Sequence, residues 1–225
     1  MPIDLPQAHH NFYGKHHYLE LESFFPEEKI EAWRKSLGNY ASFDDAYLSG
    51  RDLWRKNPSI KKLITNRNLV QCASKLAEAP SLQLGFDQAL CTVENTSKLP
   101  LAKQPVSLSQ ISNASSIACG AIINLSTENS PYPLEPTPAP TEELILPIIP
   151  LPHTPGSVLF ISPELPLDFQ KLVETPSQTL LLVVYTHVKP LYIQNALDPH
   201  ANALKKLGYG FGDHLTTKTH PLLIK

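Results

Sequence analysis

The distribution of proline constrains this chain more than any other feature. Of 22 prolines, only Pro2, Pro6, Pro26, Pro58 and Pro80 precede Ser81, whereas nine fall between Pro131 and Pro155. Proline lacks a backbone N–H and breaks helix interiors, so the front of the chain is free to form helices and the back is confined to strands and loops. At 225 residues, 42% hydrophobic and 18% charged, the chain suits one large domain with a substantial core. A net charge of −2 and a pI near 6.5 give no field that would gather nucleic acid. No apolar stretch approaches the ~20 residues of a membrane span. Met1 to Phe12 has neither a basic segment nor an apolar run, unlike a secretory signal. Cys72, Cys91 and Cys119 are odd in number and widely spaced, which predicts reduced thiols and a cytoplasmic protein. Without the close spacing that brings two thiolates to one metal, they predict no zinc site.

Four helices are expected before Ser81. Pro26-Glu27-Glu28 opens the first, with Ile30, Trp33 and Leu37 as its buried stripe and Gly38 as its stop. Ser42-Phe43-Asp44-Asp45 resembles a cap for a second helix running to about Lys56. Asn57-Pro58 starts a third, carrying Ile60, Leu63 and Ile64. Asn66 caps a fourth, which Pro80 ends.

From Leu82 the apolar period changes to two, the mark of a half-buried strand. Further strands are expected over Ile117–Leu125, Leu144–Ile149, Val158–Ile161 and Leu180–Val188; Pro147 puts the second of these at an edge or a bulge. Residues 131–143 form a proline-rich surface loop, and Asp198-Pro199 caps a short last helix closed by Gly208. The expected architecture is α+β in a single domain over 1–225. Residues 1–80 are mainly helical support, 81–195 the β body, and 196–225 a C-terminal helix and tail.

Four stretches taken together carry a family likeness. They are Asn57 to Pro80, Leu84-Gly85-Phe86-Asp87-Gln88, Thr154-Pro155-Gly156-Ser157-Val158-Leu159-Phe160, and Leu180 to Tyr185. In order and spacing they resemble the phytanoyl-CoA-hydroxylase branch of the Fe(II)/2-oxoglutarate dioxygenases. The resemblance implies a double-stranded β-helix, a cupin-like barrel with supporting N-terminal helices. It also implies iron held by His and an acid two residues apart on one strand, together with a distant His. Residues i and i+2 share a strand face, so both reach one metal. A basic side chain would then hold the far carboxylate of 2-oxoglutarate.

The sequence departs from that pattern. Asp87 matches the acid, but Gly85 stands where the His belongs, and none of the nine histidines has Asp or Glu two residues later. No arginine follows Arg67, leaving Lys171 or Lys189 to bind a cosubstrate. The expectation is therefore a degenerate metal site with no cofactor, around a pocket lined by Gln83, Gly85, Asp87, Tyr185 and His187 that takes a small-molecule ligand. A divergent oxygenase assembling Fe(II) and 2-oxoglutarate on Asp87 and His187 is the enzyme alternative.

Other groupings have plainer readings. His9, His10, His16 and His17 offer adventitious zinc, copper or nickel ligands, or simply a mobile polar terminus. Asp198 with His200, and Asp213 with His214, pair acid with base, yet Asp198 already serves as a cap. Gly208-Tyr-Gly-Phe-Gly212 follows a helix instead of opening one, which argues against a phosphate cradle. Residues 51–75 hold seven basic side chains against the single acid Asp52. They are read as a solvated face, or as the contact of a metal-responsive regulator with DNA.

Overall fold

A computed structural model describes residues 4–41, 50–91, 105–129, 151–169, 172, 178–198 and 200–224; the side chains of 38–41 and of Cys91 are not described. Its centre is one six-stranded antiparallel sheet, in the order β1 (Tyr18–Leu21), β4 (Val158–Ile161), β3 (Ile117–Asn124), β5 (Thr179–Thr186), β2 (Leu82–Cys91) and β6 (Leu222–Ile224). Helices cover one face of this sheet and loops fill the other.

The helices form largely where caps and periodicity place them. In α2 (Glu27–Ala41), the first-turn acids complement the dipole, and Ile30, Trp33 and Leu37 are buried. Gly38 does not end it, because an interior glycine costs a helix only about 1 kcal/mol. Asn57 accepts from the backbone N–H groups of Ser59 and Ile60 at the start of α3 (Pro58–Ile64). Asn66 does the same for Asn68 and Leu69 at α4 (Arg67–Leu76), which buries Leu69, Val70, Cys72, Ala73 and Leu76. Most of the expected 42–56 helix lies outside the described residues. Its described end is no α-helix: Arg51 bridges to Gln88 of β2, and Leu53–Arg55 makes a single 3-10 turn.

Residues 7–16 form a helix where a mobile polar terminus was one expectation. Helix α1 (Gln7–His16) buries Tyr13, then His17 (φ 65°) turns the chain into β1, which pairs with β4 from Tyr18↔Ile161 to Leu21↔Val158. The last helix, α5 (Ala203–Lys206), has Asn202 at its N-cap position, four residues beyond the expected cap Asp198. The expected strand over 144–149 and the proline-rich loop fall outside the described residues.

Two apolar clusters sandwich the sheet. On the helix side, Leu82, Leu84, Ala121, Val183 and Tyr185 pack with α2, α3 and α4. On the other side, Phe86, Leu90, Ile122, Leu182 and Val184 pack against loop residues. Among the described residues there is this one sheet and, outside it, isolated bridges such as Val106↔Leu167 and Ala114↔Tyr192, so the second strand layer that a double-stranded β-helix requires is not seen.

Candidate functional site

The expected pocket turns on which way β2 points its side chains, and a bulge at Gly85 decides that. The β2–β5 register slips between Leu84 and Phe86. A Cβ on Gly85 would lie 3.0 Å from the Val184 carbonyl oxygen and 3.1 Å from Thr186 Cγ2. The extra residue reverses the alternation beyond it. Leu82 and Leu84 face the helices, Phe86 and Leu90 face away, and Asp87, paired with Val183, turns back to the helices.

Asp87 is wholly buried there, and its two carboxylate oxygens accept from the backbone N–H groups of Leu53 (3.0 Å) and Trp54 (3.1 Å). It thus satisfies donors that open the 3-10 turn. Burial pushes its pKa up, to about 8, with the Asp52 charge adding, against the pull of the two amides and Arg51. Tyr185 also faces the helices and donates to the Ile64 carbonyl at 3.1 Å. Gln83 donates to the His220 carbonyl at 2.8 Å and accepts from the Lys189 N–H. His187 and Lys189 are exposed beyond the end of β5, and Lys171 lies outside the described residues. These side chains do not converge. Only Gly85 of the five expected pocket residues lines the cavity described below.

The face of the sheet turned away from the helices is packed with apolar side chains, except at Phe86, which also borders the cavity described below. Phe86, Ile122, Leu159, Leu182 and Val184 meet Val106, Leu108, Leu165, Phe169 and Leu172 from the segments that connect the strands. All nine histidines are among the described residues, and only His220 is buried. Among the described residues, no three of His, Cys, Asp and Glu stand where they could hold a metal ion.

A cavity of about 610 Å³ opens instead beside β2, between residues 51–56, the 112–114 loop and the C-terminal segment. Arg51 is 1% exposed and lies flat on Phe86, its guanidinium carbon 3.2 Å from the ring centre. One of its nitrogens, Nη2, donates to Asp198 Oδ2 (2.8 Å) and to the Ile111 carbonyl (2.9 Å). Asp198 also accepts from the N–H groups of Asn113 and His200, so it ties three segments together. Asp52 meets Arg55 at 3.3 Å and His200 at 3.7 Å. Burial works to raise its pKa, but His200, Arg55 and Arg51 hold it down to about 2. Burial pulls the His220 imidazole down to about 4, leaving it neutral at ordinary pH. Lys56 and Lys206 line the same cavity and are exposed.

The local sequence hinted at this site only through Asp198 and His200. What brings Arg51 to them across 147 positions is the pairing of 50–52 along β2, which leaves no periodic trace. That arrangement also disperses the basic stretch. Arg51 is buried, Arg55 stacks on Trp54 and donates to the Thr219 carbonyl, and Lys75 meets Asp4. Cys72 and Cys119 are free and buried, and no helix among the described residues is long and apolar enough to cross a membrane.

The fold as a whole is similar to those of solved non-heme iron and 2-oxoglutarate-dependent enzymes, at low sequence identity. Solved structures with that likeness include the α-ketoglutarate-dependent carbocyclase SnoK from nogalamycin biosynthesis, at a TM-score of 0.68 and 16% identity over 99% of each chain. The epimerase SnoN of the same biosynthesis matches with a TM-score of 0.68 and 13% identity, over 97% of this chain and 98% of that one. HygX from Streptomyces hygroscopicus, solved with nickel and 2-oxoglutarate bound, matches with a TM-score of 0.54 and 14% identity, over 96% and 99%. No family profile and no curated protein matches the chain.

Proposed function

We propose that this chain is a binding protein built on the oxygenase fold, degenerate in its metal site and working without iron. The observation that carries the reading is the filled face opposite the helices. Aliphatic and aromatic side chains occupy the space in which three metal ligands would otherwise converge, and the one buried histidine lies at the cavity beside β2, whose wall Phe86 also forms. The residues present do not fit a facial triad: both oxygens of Asp87 are held by backbone amides, and His187 is exposed past the strand end. The reading puts the chain nearest the phytanoyl-CoA-hydroxylase branch, supported by the likeness of the four sequence stretches, and in a reducing, cytoplasmic setting, which the two buried free thiols fit.

The enzyme alternative, with Fe(II) and 2-oxoglutarate on Asp87 and His187, makes the opposite forecast in one experiment. Under anaerobic conditions, Fe(II) is titrated into the full chain with 2-oxoglutarate present, and visible absorption is followed. The proposal expects no saturable metal-to-ligand band and no stoichiometric iron after desalting. A band saturating at one equivalent overturns it.

A further inference from the structure

We propose that the cavity beside β2 binds a small organic anion, its carboxylate or phosphate group drawn to Arg51, Lys56 and Lys206 and its apolar body lying against Phe86, Leu204 and Leu207. This deepens the reading of a non-iron binding protein, on which it rests, by giving the ligand's chemical class and its place.

Size is the first argument. A volume of about 610 Å³ falls within the range of small-molecule pockets. Charge is the second. Arg51, Arg55, Lys56 and Lys206 line the cavity against two carboxylates, Asp52 and Asp198. Asp198 holds Arg51 and two backbone amides, and Asp52 faces Arg55 and His200 through Oδ2 while its Oδ1 is buried without a hydrogen-bond partner, so the four cations still outnumber the two carboxylates. Lys56 and Lys206 form no ion pair among the described residues. His220 is neutral and cancels none of this charge. The cavity therefore carries an excess of positive charge that nothing on its walls offsets.

Pre-organisation is the third argument. Arg51 is clamped by Asp198, the Ile111 carbonyl and the Phe86 ring, yet its Nη1 is buried with no hydrogen-bond partner. A guanidinium fixed in this way presents its charge without further loss of side-chain freedom, and an unmet donor favours an added acceptor. The apolar part of the wall sets the rest of the ligand. Phe86 and Leu204 are buried, and Leu207, at 61% exposure, is the most exposed large apolar side chain among the described residues. A ligand carrying only charge would leave that surface unused, so an anion with a hydrocarbon or aryl body fits better than a bare ion.

The test is calorimetric titration of the full chain at low salt with phenylacetate and with phenyl phosphate, using phenylacetamide as the uncharged control. The expected result is saturable one-to-one binding of at least one anion, weakening as salt rises, and none of the amide. The tighter of the two anions assigns the head group. In the double variant Lys56→Gln/Lys206→Gln, both substitutions are at exposed positions, so the melting curve should hold while affinity falls about ten-fold. Failure of both anions to saturate, equal binding of the amide, or unchanged affinity in the double variant overturns the inference. Its failure is distinct from failure of the reading beneath it, because the iron titration reads a metal-dependent absorption band that carries no dependence on Lys56 or Lys206.

Discussion

Asp87 is the residue whose chemistry looks most like a ligand's and whose surroundings make it a structural cap. Replacing it with alanine leaves the Leu53 and Trp54 amides unmet in a buried place, at a cost of about 1–3 kcal/mol for each. Asp87→Asn keeps one acceptor and should lose roughly half as much. Urea unfolding of the two variants checks both the direction and the order. The Arg51–Asp198 pair makes a sharper case, since removing one partner strands a buried charge: Asp198→Ala should cost about 3–5 kcal/mol, compared by the same unfolding curves. Protonation enters through His220, held near 4 against an ordinary value of about 6.5. The unfolded chain takes up a proton between those values and the folded chain does not. Its contribution is thus fully present above pH ~6.5, falls as pH drops toward 4, and is lost below that, amounting to about 3 kcal/mol. Subtracting the stability–pH curve of His220→Gln from that of the parent chain should leave this limb and nothing above pH ~6.5. A flat difference would show that the imidazole titrates normally.

Elements with local signals were legible in the sequence. Asn57-Pro58 and Asn66 announce α3 and α4 because a cap is a short-range hydrogen bond between residues two or three apart. The cores of β2, β3, β4 and β5 were readable from continuous or alternating apolar runs. What escaped was anything fixed by a distant partner. β1 has four residues and β6 three, and each exists because β4 or β2 presents an open edge. The bulge at Gly85 was the costliest omission. A rule that puts residues i and i+2 on one face gave Gln83, Gly85 and Asp87 a common pocket, and one inserted residue separated them. Gly85→Val should therefore be poorly tolerated, with a Cβ already 3.0 Å from a backbone oxygen, and should cost more than ~2 kcal/mol in thermal or urea unfolding. Gly14→Ala gives the contrast. No atom lies within 4 Å of the added carbon on α1, so the change should stabilise by about 0.5–1 kcal/mol.

At the scale of the whole molecule, the proline asymmetry gave the expectation of a helical front and a β body; among the described residues four α-helices precede β2, but strand β1 lies in the front as well. The sequence could not say what fills the other face. Side chains that pack there come from β2, β3, β4 and β5 and from loops far apart along the chain, and apolar residues read the same whether they line a pocket or close it. The same limit hid the cavity beside β2, whose charged wall is assembled from Arg51, Lys56, Asp198 and Lys206. Methyl-resolved NMR of the full chain with Mn(II) and 2-oxoglutarate tests the filled face most directly, because the paramagnetic ion broadens methyl groups near it. The account predicts that Ile122, Leu159, Leu182 and Val184 keep their line widths as one equivalent of metal is added. Selective broadening of those four, dependent on 2-oxoglutarate, would place a metal in that face and contradict it.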